Sequence, residues 1–155
     1  MGKFVNKEVC TECGGKCCKC MGCQFSPDDF KDLSFEGLKK EIDKGYISID
    51  WWDGNPFGPE DTRDIRKAYY LRIRNLNRNR TSKAPIVDAS WGGCCCLLTD
   101  TGCPFTFEER PMGAKMLMPG DTVEDNCKEG YSKDQCARDW YKYDDILYQL
   151  EDYYC

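Results

Sequence analysis

The chain contains no histidine, and that absence excludes more chemistry than any other feature of its composition. Without imidazole there is no Cys2His2 finger, no C-x-x-C-H haem attachment, no Rieske centre and no Ser-His or Cys-His nucleophile pair. Any bound metal is held by sulfur alone or by sulfur and oxygen. Long apolar runs are also missing: none approaches the roughly 20 residues that span a bilayer. The opening MGKFVNKEV has no signal-peptide core, and Asn6 stands where N-myristoylation needs Ser or Thr. A soluble, cytoplasmic protein with no membrane partner is expected. Internal repeats and low-complexity tails are absent, so residues 1–155 are read as a single domain.

What the chain has in excess is cysteine, thirteen of 155 residues. The count is odd and no export signal precedes it, which favours reduced thiols over a disulfide framework. Six of them fall in CTECGGKCCKCMGC, between Cys10 and Cys23. A thiol buried as a small hydrophobe needs apolar neighbours, whereas Gly, Lys and other small or polar residues separate these. Such a loop suits sulfurs wrapped around a metal or an iron–sulfur centre. Lys16 and Lys19 would favour thiolates, and Gly14, Gly15 and Gly22 leave the backbone free to turn and to aim N–H groups at sulfur.

Around this loop the periodicities predict a small α+β fold. Ser26-Pro27-Asp28-Asp29 is a helix start, giving a short helix over 27–32, and Phe35, Leu38 and Ile42 place a second helix over 35–44 with Gly45 as its stop. Residues 46–52 alternate and end in a turn at 53–56. Residues 68–74 alternate again, with Tyr69, Leu71 and Ile73 on one face and Tyr70, Arg72 and Arg74 on the other. This predicts a half-buried strand. A brief strand is expected at 86–89 and another at 94–98, followed by a turn at 99–102 that returns the chain to Cys103. That hairpin would bring the Cys95 and Cys103 sulfurs together. Ser132-Lys133-Asp134-Gln135 matches a capping box, and Cys136, Trp140, Tyr143, Leu147, Leu150 and Tyr154 repeat at helical spacing, predicting one long C-terminal helix. The expected whole is a mainly antiparallel sheet of 46–52, 69–74 and 94–98, that helix packed on it, and a cysteine-rich metal-binding N-terminal loop.

The cysteine spacings admit several centres. Cys10 and Cys13 form a C-x-x-C knuckle suited to zinc, and Cys17-Cys18-x-Cys20 suits a cubane at least as well. Cys13, Cys17 and Cys20 also match the C-x3-C-x2-C spacing of radical S-adenosylmethionine enzymes, but the chain is too short for their barrel and Lys19 stands where an aromatic is usual. Cys103-Pro104 matches the closing pair of bacterial ferredoxins without the preceding C-x2-C-x2-C.

Both halves together carry a resemblance. Cys10-x2-Cys13-x3-Cys17-Cys18, followed far downstream by CCLLTDTGCPFTFEERP, resembles the CxxCxxCC family, cysteine-cluster proteins described as zinc- or iron-chelating. The family's second segment runs C-x-x-L-T-x-x-G-C and then Arg-Pro, here Cys95, Leu98, Thr99, Gly102, Cys103, Arg110 and Pro111. The resemblance implies a shared centre built from both segments. The family commonly has one more cysteine after Arg-Pro, where this chain continues Met112-Gly113. Cys20, Cys23 or Cys127 would replace it. The ligand set is then Cys10, Cys13, Cys17, Cys18, Cys20, Cys23, Cys95 and Cys103, which makes either two four-cysteine centres or one with spare thiols. Flagellin lysine methylases look similar in their cysteine motif and are associated with an iron–sulfur cluster, so one or two 4Fe-4S clusters are expected, with zinc as the alternative cofactor.

The remaining features are read more plainly. Eight cations against one acid between Arg63 and Lys83, with Tyr70, Arg72 and Arg74 on one strand face, offer single-stranded nucleic acid a surface; the net charge of −5 favours instead a solvated face for an acidic protein partner. Arg110 beside a thiolate-rich centre would offset its charge. Cys136 is read as a buried thiol, Cys94 and Cys96 as either ligands or core thiols, and Glu108 and Glu109 as no catalytic pair. The expected function is electron transfer, redox sensing or maturation of a partner protein by an iron–sulfur protein. The alternatives are a zinc-stapled interaction module and a cluster-dependent modifying enzyme.

Overall fold

A computed structural model describes residues 23–76, 94–97, 105–106, 108–118 and 128–154. The strand expected at 86–89 and the 99–103 hairpin turn lie outside them.

The fold is α+β, and its centre is an antiparallel pair. β1 (Ile47–Asp53) and β2 (Lys67–Ile73) run in register from Ile47 opposite Ile73 to Asp53 opposite Lys67. Residues 23–25 lie along the other side of β2: Gln24 bridges to Arg72, Phe25 N–H donates to Leu71 O at 2.8 Å, and Ile73 N–H donates to Cys23 O at 2.9 Å. β2 is therefore flanked on both edges over its second half, and it is buried on both faces from Ala68 to Ile73. The half-buried strand expected from alternation is corrected here: Tyr70 and Arg72 are buried as fully as Leu71.

The polar face of β2 is buried because its groups satisfy one another. Asp50 Oδ2 accepts from Arg72 Nε at 2.7 Å and from the Tyr70 hydroxyl at 3.1 Å, and Asp50 Oδ1 accepts from Trp51 N–H at 2.7 Å. Arg72 Nη1 donates to Ile73 O at 3.0 Å. Burial, then the Asp50 carboxylate, holds the Tyr70 hydroxyl protonated. A buried charge is tolerated in this form, paired and hydrogen-bonded.

Helices close the core. Ser26 Oγ accepts from Asp28 N–H at 3.2 Å and Asp29 Oδ2 from Ser26 N–H at 2.8 Å, a full capping box, yet the helix expected over 27–32 is a 3-10 turn at Pro27–Asp29. Phe30 leaves it in extended conformation, with its ring against Phe25 and Trp140. α1 (Phe35–Ile42) is capped by Ser34, buries Leu38 and Ile42 completely, and ends short of the expected residue 44; Gly45 turns away at φ +95°. Each such aliphatic side chain contributes about 1.5–3 kcal/mol by burial.

The single long C-terminal helix is corrected to two. α2 (Met112–Lys115) is a short turn of helix before them; α3 (Lys133–Tyr141) and α4 (Asp144–Tyr154) are separated at Lys142–Tyr143, where Tyr143 N–H bonds back three residues to Trp140 O at 2.8 Å. Asp144 and Asp145 then meet the positive end of a new helix. The apolar stripe continues across the break, burying Cys136, Trp140, Leu147 and Leu150 in one core. α4 meets β2 through the Tyr69 and Tyr148 rings, whose centroids are 4.9 Å apart, and α3 through Cys136 beside Tyr70. The rest of the described sheet structure is short. β3 (Asn75–Leu76) pairs with β4 (Cys94–Cys95), and β5 (Leu117–Met118) with β6 (Lys128–Glu129), all antiparallel. The strand expected at 94–98 stops at Cys95, turns at Cys96–Leu97, and pairs with 75–76 rather than joining the β1–β2 sheet.

Candidate metal centre

Of the eight proposed ligands, Cys23 and Cys95 are described; Cys10, Cys13, Cys17, Cys18, Cys20 and Cys103 lie outside the described residues, as does Cys127. Among the described residues no three cysteine or carboxylate side chains converge on one point.

The backbone brings the ends of the two cysteine runs to one stretch of chain. Ile73 N–H donates to Cys23 O, and Arg74 O accepts from Cys96 N–H, each at 2.9 Å, while Asn75 pairs with Cys95. Successive residues of an extended strand present their polar groups to opposite sides. Cys23 thus lies on one edge of residues 73–75, and Cys95 and Cys96 on the other, in line with β1. Cys95 is buried, and Cys23 and Cys96 are half-buried.

Cys96 faces a specific partner: its Sγ lies 4.0 Å from the Tyr46 carbonyl, whose oxygen also accepts from Arg74 N–H at 2.8 Å. Burial pushes the Cys96 thiol up, while the charges of Arg74 and Arg72 pull it back down. Burial outweighs these charges, and on balance the Cys96 thiol lies above its ordinary range. Cys136 is a different case. It is fully buried, its Sγ lies 3.2 Å from Phe25 O, and burial pushes its thiol well up, so it is the core thiol its place in the helix stripe implied.

The segment after Arg110 docks beside Cys23. Pro111 is fully buried, Met112 N–H donates to Asp29 Oδ2 at 2.8 Å, and Gly113 N–H donates to Gln24 O at 2.9 Å. The Gln24 side-chain amide in turn donates to Tyr131 O. A Cβ on Gly113 would come within 2.8 Å of both the Gln24 carbonyl oxygen and its side chain, so only glycine lets the two segments approach this closely. Asp29, its carboxyl raised mainly by burial, holds the two segments together through its bonds to Ser26 and Met112. Gln24, Asp29 and Gly113 carry no signal in the sequence beyond Asp29's place in a capping box. Their role follows from contacts more than 80 residues apart in the chain.

The β2 face weighed above as a surface for single-stranded nucleic acid is closed at Tyr70 and Arg72. Tyr70 and Arg72 are 2% and 1% exposed and are bonded to Asp50, so neither can stack on a base or meet a phosphate. Glu109 Oε2 accepts from Thr106 N–H at 2.8 Å, a local turn contact, and Glu108 is exposed.

No helix among the described residues is long and apolar enough to cross a membrane. A scan against family models, curated proteins and solved structures finds no match to the chain.

Proposed function

We propose that the chain is a cysteine-ligated metalloprotein of the CxxCxxCC type, holding one or two 4Fe-4S clusters and serving electron transfer, redox sensing or maturation of a protein partner. The observation that carries this reading is the run of six thiols between Cys10 and Cys23 in a chain without histidine. The donor set is Cys10, Cys13, Cys17, Cys18, Cys20, Cys23, Cys95 and Cys103. Support comes from the backbone, which sets Cys23 and Cys95 on opposite edges of residues 73–75 and so brings the ends of the two cysteine runs to one corner of the core. When bound, a cluster supplies one-electron chemistry; the chain's own residues hold the sulfurs, offset their charge and limit water. Zinc is the second reading, because the Cys10-x2-Cys13 knuckle is equally a zinc ligand pair.

Anaerobic purification followed by visible absorption and iron, sulfide and zinc analysis separates the two. A brown protein with matching iron and sulfide is expected. A colourless protein with stoichiometric zinc and no iron would replace the iron–sulfur reading with a zinc-stapled module.

A further inference from the structure

α4 differs from the other helices in how its charges are balanced. Lys39 of α1 pairs with Asp43 at 2.7 Å, and within α3 Asp134 pairs with Arg138 at 3.1 Å, each one turn apart. α4 carries Asp144, Asp145, Glu151 and Asp152 with no lysine or arginine, and none of the four forms an ion pair among the described residues. The macrodipole accounts for the first two, which stand at the positive end of the helix. Glu151 and Asp152 fall in its last turn, where the dipole opposes acids, so local helix stability does not explain them.

The same helix holds both of the large apolar side chains that are exposed among the described residues, Tyr148 at 43% and Tyr153 at 58%. Tyr153 is engaged by α1, with Phe35 against its edge and the Lys39 ammonium 5.1 Å from its ring centroid. Tyr148 is braced from behind by Tyr69, ring centroids 4.9 Å apart and nearly perpendicular, and no cation among the described residues lies over it. Side chains three and four residues apart are neighbours on a helix, so all four carboxylates ring Tyr148: Asp144 and Asp145 one turn before it, Glu151 and Asp152 one turn after. Burial, then the charges of Asp144 and Glu151 with a further push from Asp145, raises the Tyr148 hydroxyl. Asp144 is held by Tyr69 N–H and Glu151 faces the Tyr69 hydroxyl, whereas Asp145 and Asp152 are exposed.

An aromatic ring among carboxylates attracts a cation twice, through its quadrupole and through their charge. We infer that the outer face of α4 docks a basic segment of a protein partner, with one arginine or lysine on Tyr148 and its neighbours on Asp145 and Asp152. The net charge of −5 sets copies of this chain against one another and favours a partner of opposite sign. Asp145 and Asp152 are separated by about 10 Å along the helix, at 1.5 Å per residue, a span that an extended segment covers in about three residues. Two arginines at that spacing reach both. The inference does not depend on the metal centre, since no residue it uses lies in a cysteine run or in the segment after Arg110.

Ligand-observed NMR titration of the full chain at low ionic strength tests it, with the peptide Gly-Arg-Gly-Gly-Arg-Gly as probe and the same peptide carrying glutamine for arginine as control. Saturable binding about tenfold tighter than the control's is expected. Tyr148→Ser is expected to weaken it about two- to fivefold, and Asp145→Asn with Asp152→Asn about tenfold. Glu36→Gln with Glu60→Gln removes two charges from exposed positions elsewhere and is expected to change it by less than about twofold, because distant charges are screened. No saturable binding, equal binding of the glutamine peptide, equal weakening by the two paired variants, or wild-type affinity in Tyr148→Ser would each overturn the inference. So would a dimer of the free chain that Tyr148→Ser dissociates, since the face would then belong to a second copy.

Discussion

Cys23 and Cys96 hold consecutive residues of one strand end from opposite sides: Cys23 O accepts from Ile73 N–H and Cys96 N–H donates to Arg74 O, both at 2.9 Å. The two cysteine runs, separated by some seventy residues of chain, therefore end against the same three residues at the edge of the core. Because β2 is buried on both faces and flanked on both edges, this corner is anchored to the most constrained part of the molecule.

A centre shared by both runs is expected to lose metal when either is broken. Cys23→Ser and Cys95→Ser, purified anaerobically, are each expected to contain less than half the wild-type iron, and so are Cys13→Ser and Cys103→Ser. Wild-type metal content in both Cys23→Ser and Cys95→Ser would show that the two runs do not share a centre.

Gly113→Ala is expected to disturb the centre from a distance. The added methyl meets Gln24 at 2.8 Å and pushes on the residue next to Cys23. Overpacking of this kind costs about 1–3 kcal/mol. Thermal unfolding should show the loss, and iron content should fall with it; Ala114→Gly, in the same short helix, is the control for helix propensity. An unchanged melting temperature in Gly113→Ala would mean that the approach of the two segments is looser than the Gly113 N–H to Gln24 O distance of 2.9 Å implies.

The Asp50–Arg72 pair sets a larger energy. Arg72 is 1% exposed, and Arg72→Met leaves the Asp50 carboxylate buried without its main partner. Breaking such a pair costs about 3–5 kcal/mol. Urea unfolding is expected to show that loss, and Asp50→Leu combined with Arg72→Met should recover part of it, since no charge is then left behind. A double variant as unstable as the sum of its singles would show that the two side chains are not energetically coupled.

Asp144 predicts a pH dependence. Burial, with a further push from Asp145, raises its carboxyl to about 6, against the pull of the Tyr69 N–H. The unfolded value is about 3.9, so between roughly pH 4 and 6 the folded state binds more protons than the unfolded state, and stability falls as pH rises through that window. Asp144→Asn removes the titration. Because the residue is half-exposed, the expected gain at pH 7 is about 1 kcal/mol, with none at pH 4. Denaturation of the variant across pH 4–7 checks this: a slope as steep as the wild type's would mean that another group carries it.

Much of the fold was legible because local chemistry specified it. Ser34 caps α1, Gly45 ends the turn after it, and the alternation of residues 46–52 and 68–74 marked β1 and β2 to within a residue or two. The short pairs β3–β4 and β5–β6 were not legible as such, since two-residue strands carry no periodicity. The break at Lys142–Tyr143 was hidden because the apolar stripe runs through it unchanged, and periodicity reports which side is buried rather than whether the backbone is continuous.

The candidate centre divides the same way. Thiol density and the lack of histidine limit the donors of the proposed centre to sulfur and oxygen, because ligation depends on which side chains the chain possesses. Alternation also put Tyr70 and Arg72 on one face of β2, where Asp50 reaches both. Whether that face met water was a separate question, answered by α3 and by an aspartate twenty residues earlier in the chain: Asp50 satisfies Tyr70 and Arg72, so a face that reads as polar and open is buried. Residue types and their spacing limit which contacts are possible. Which of them form depends on segments far apart in sequence that pack together, and the placing of Cys23 and Cys95 against one strand end is of that second kind.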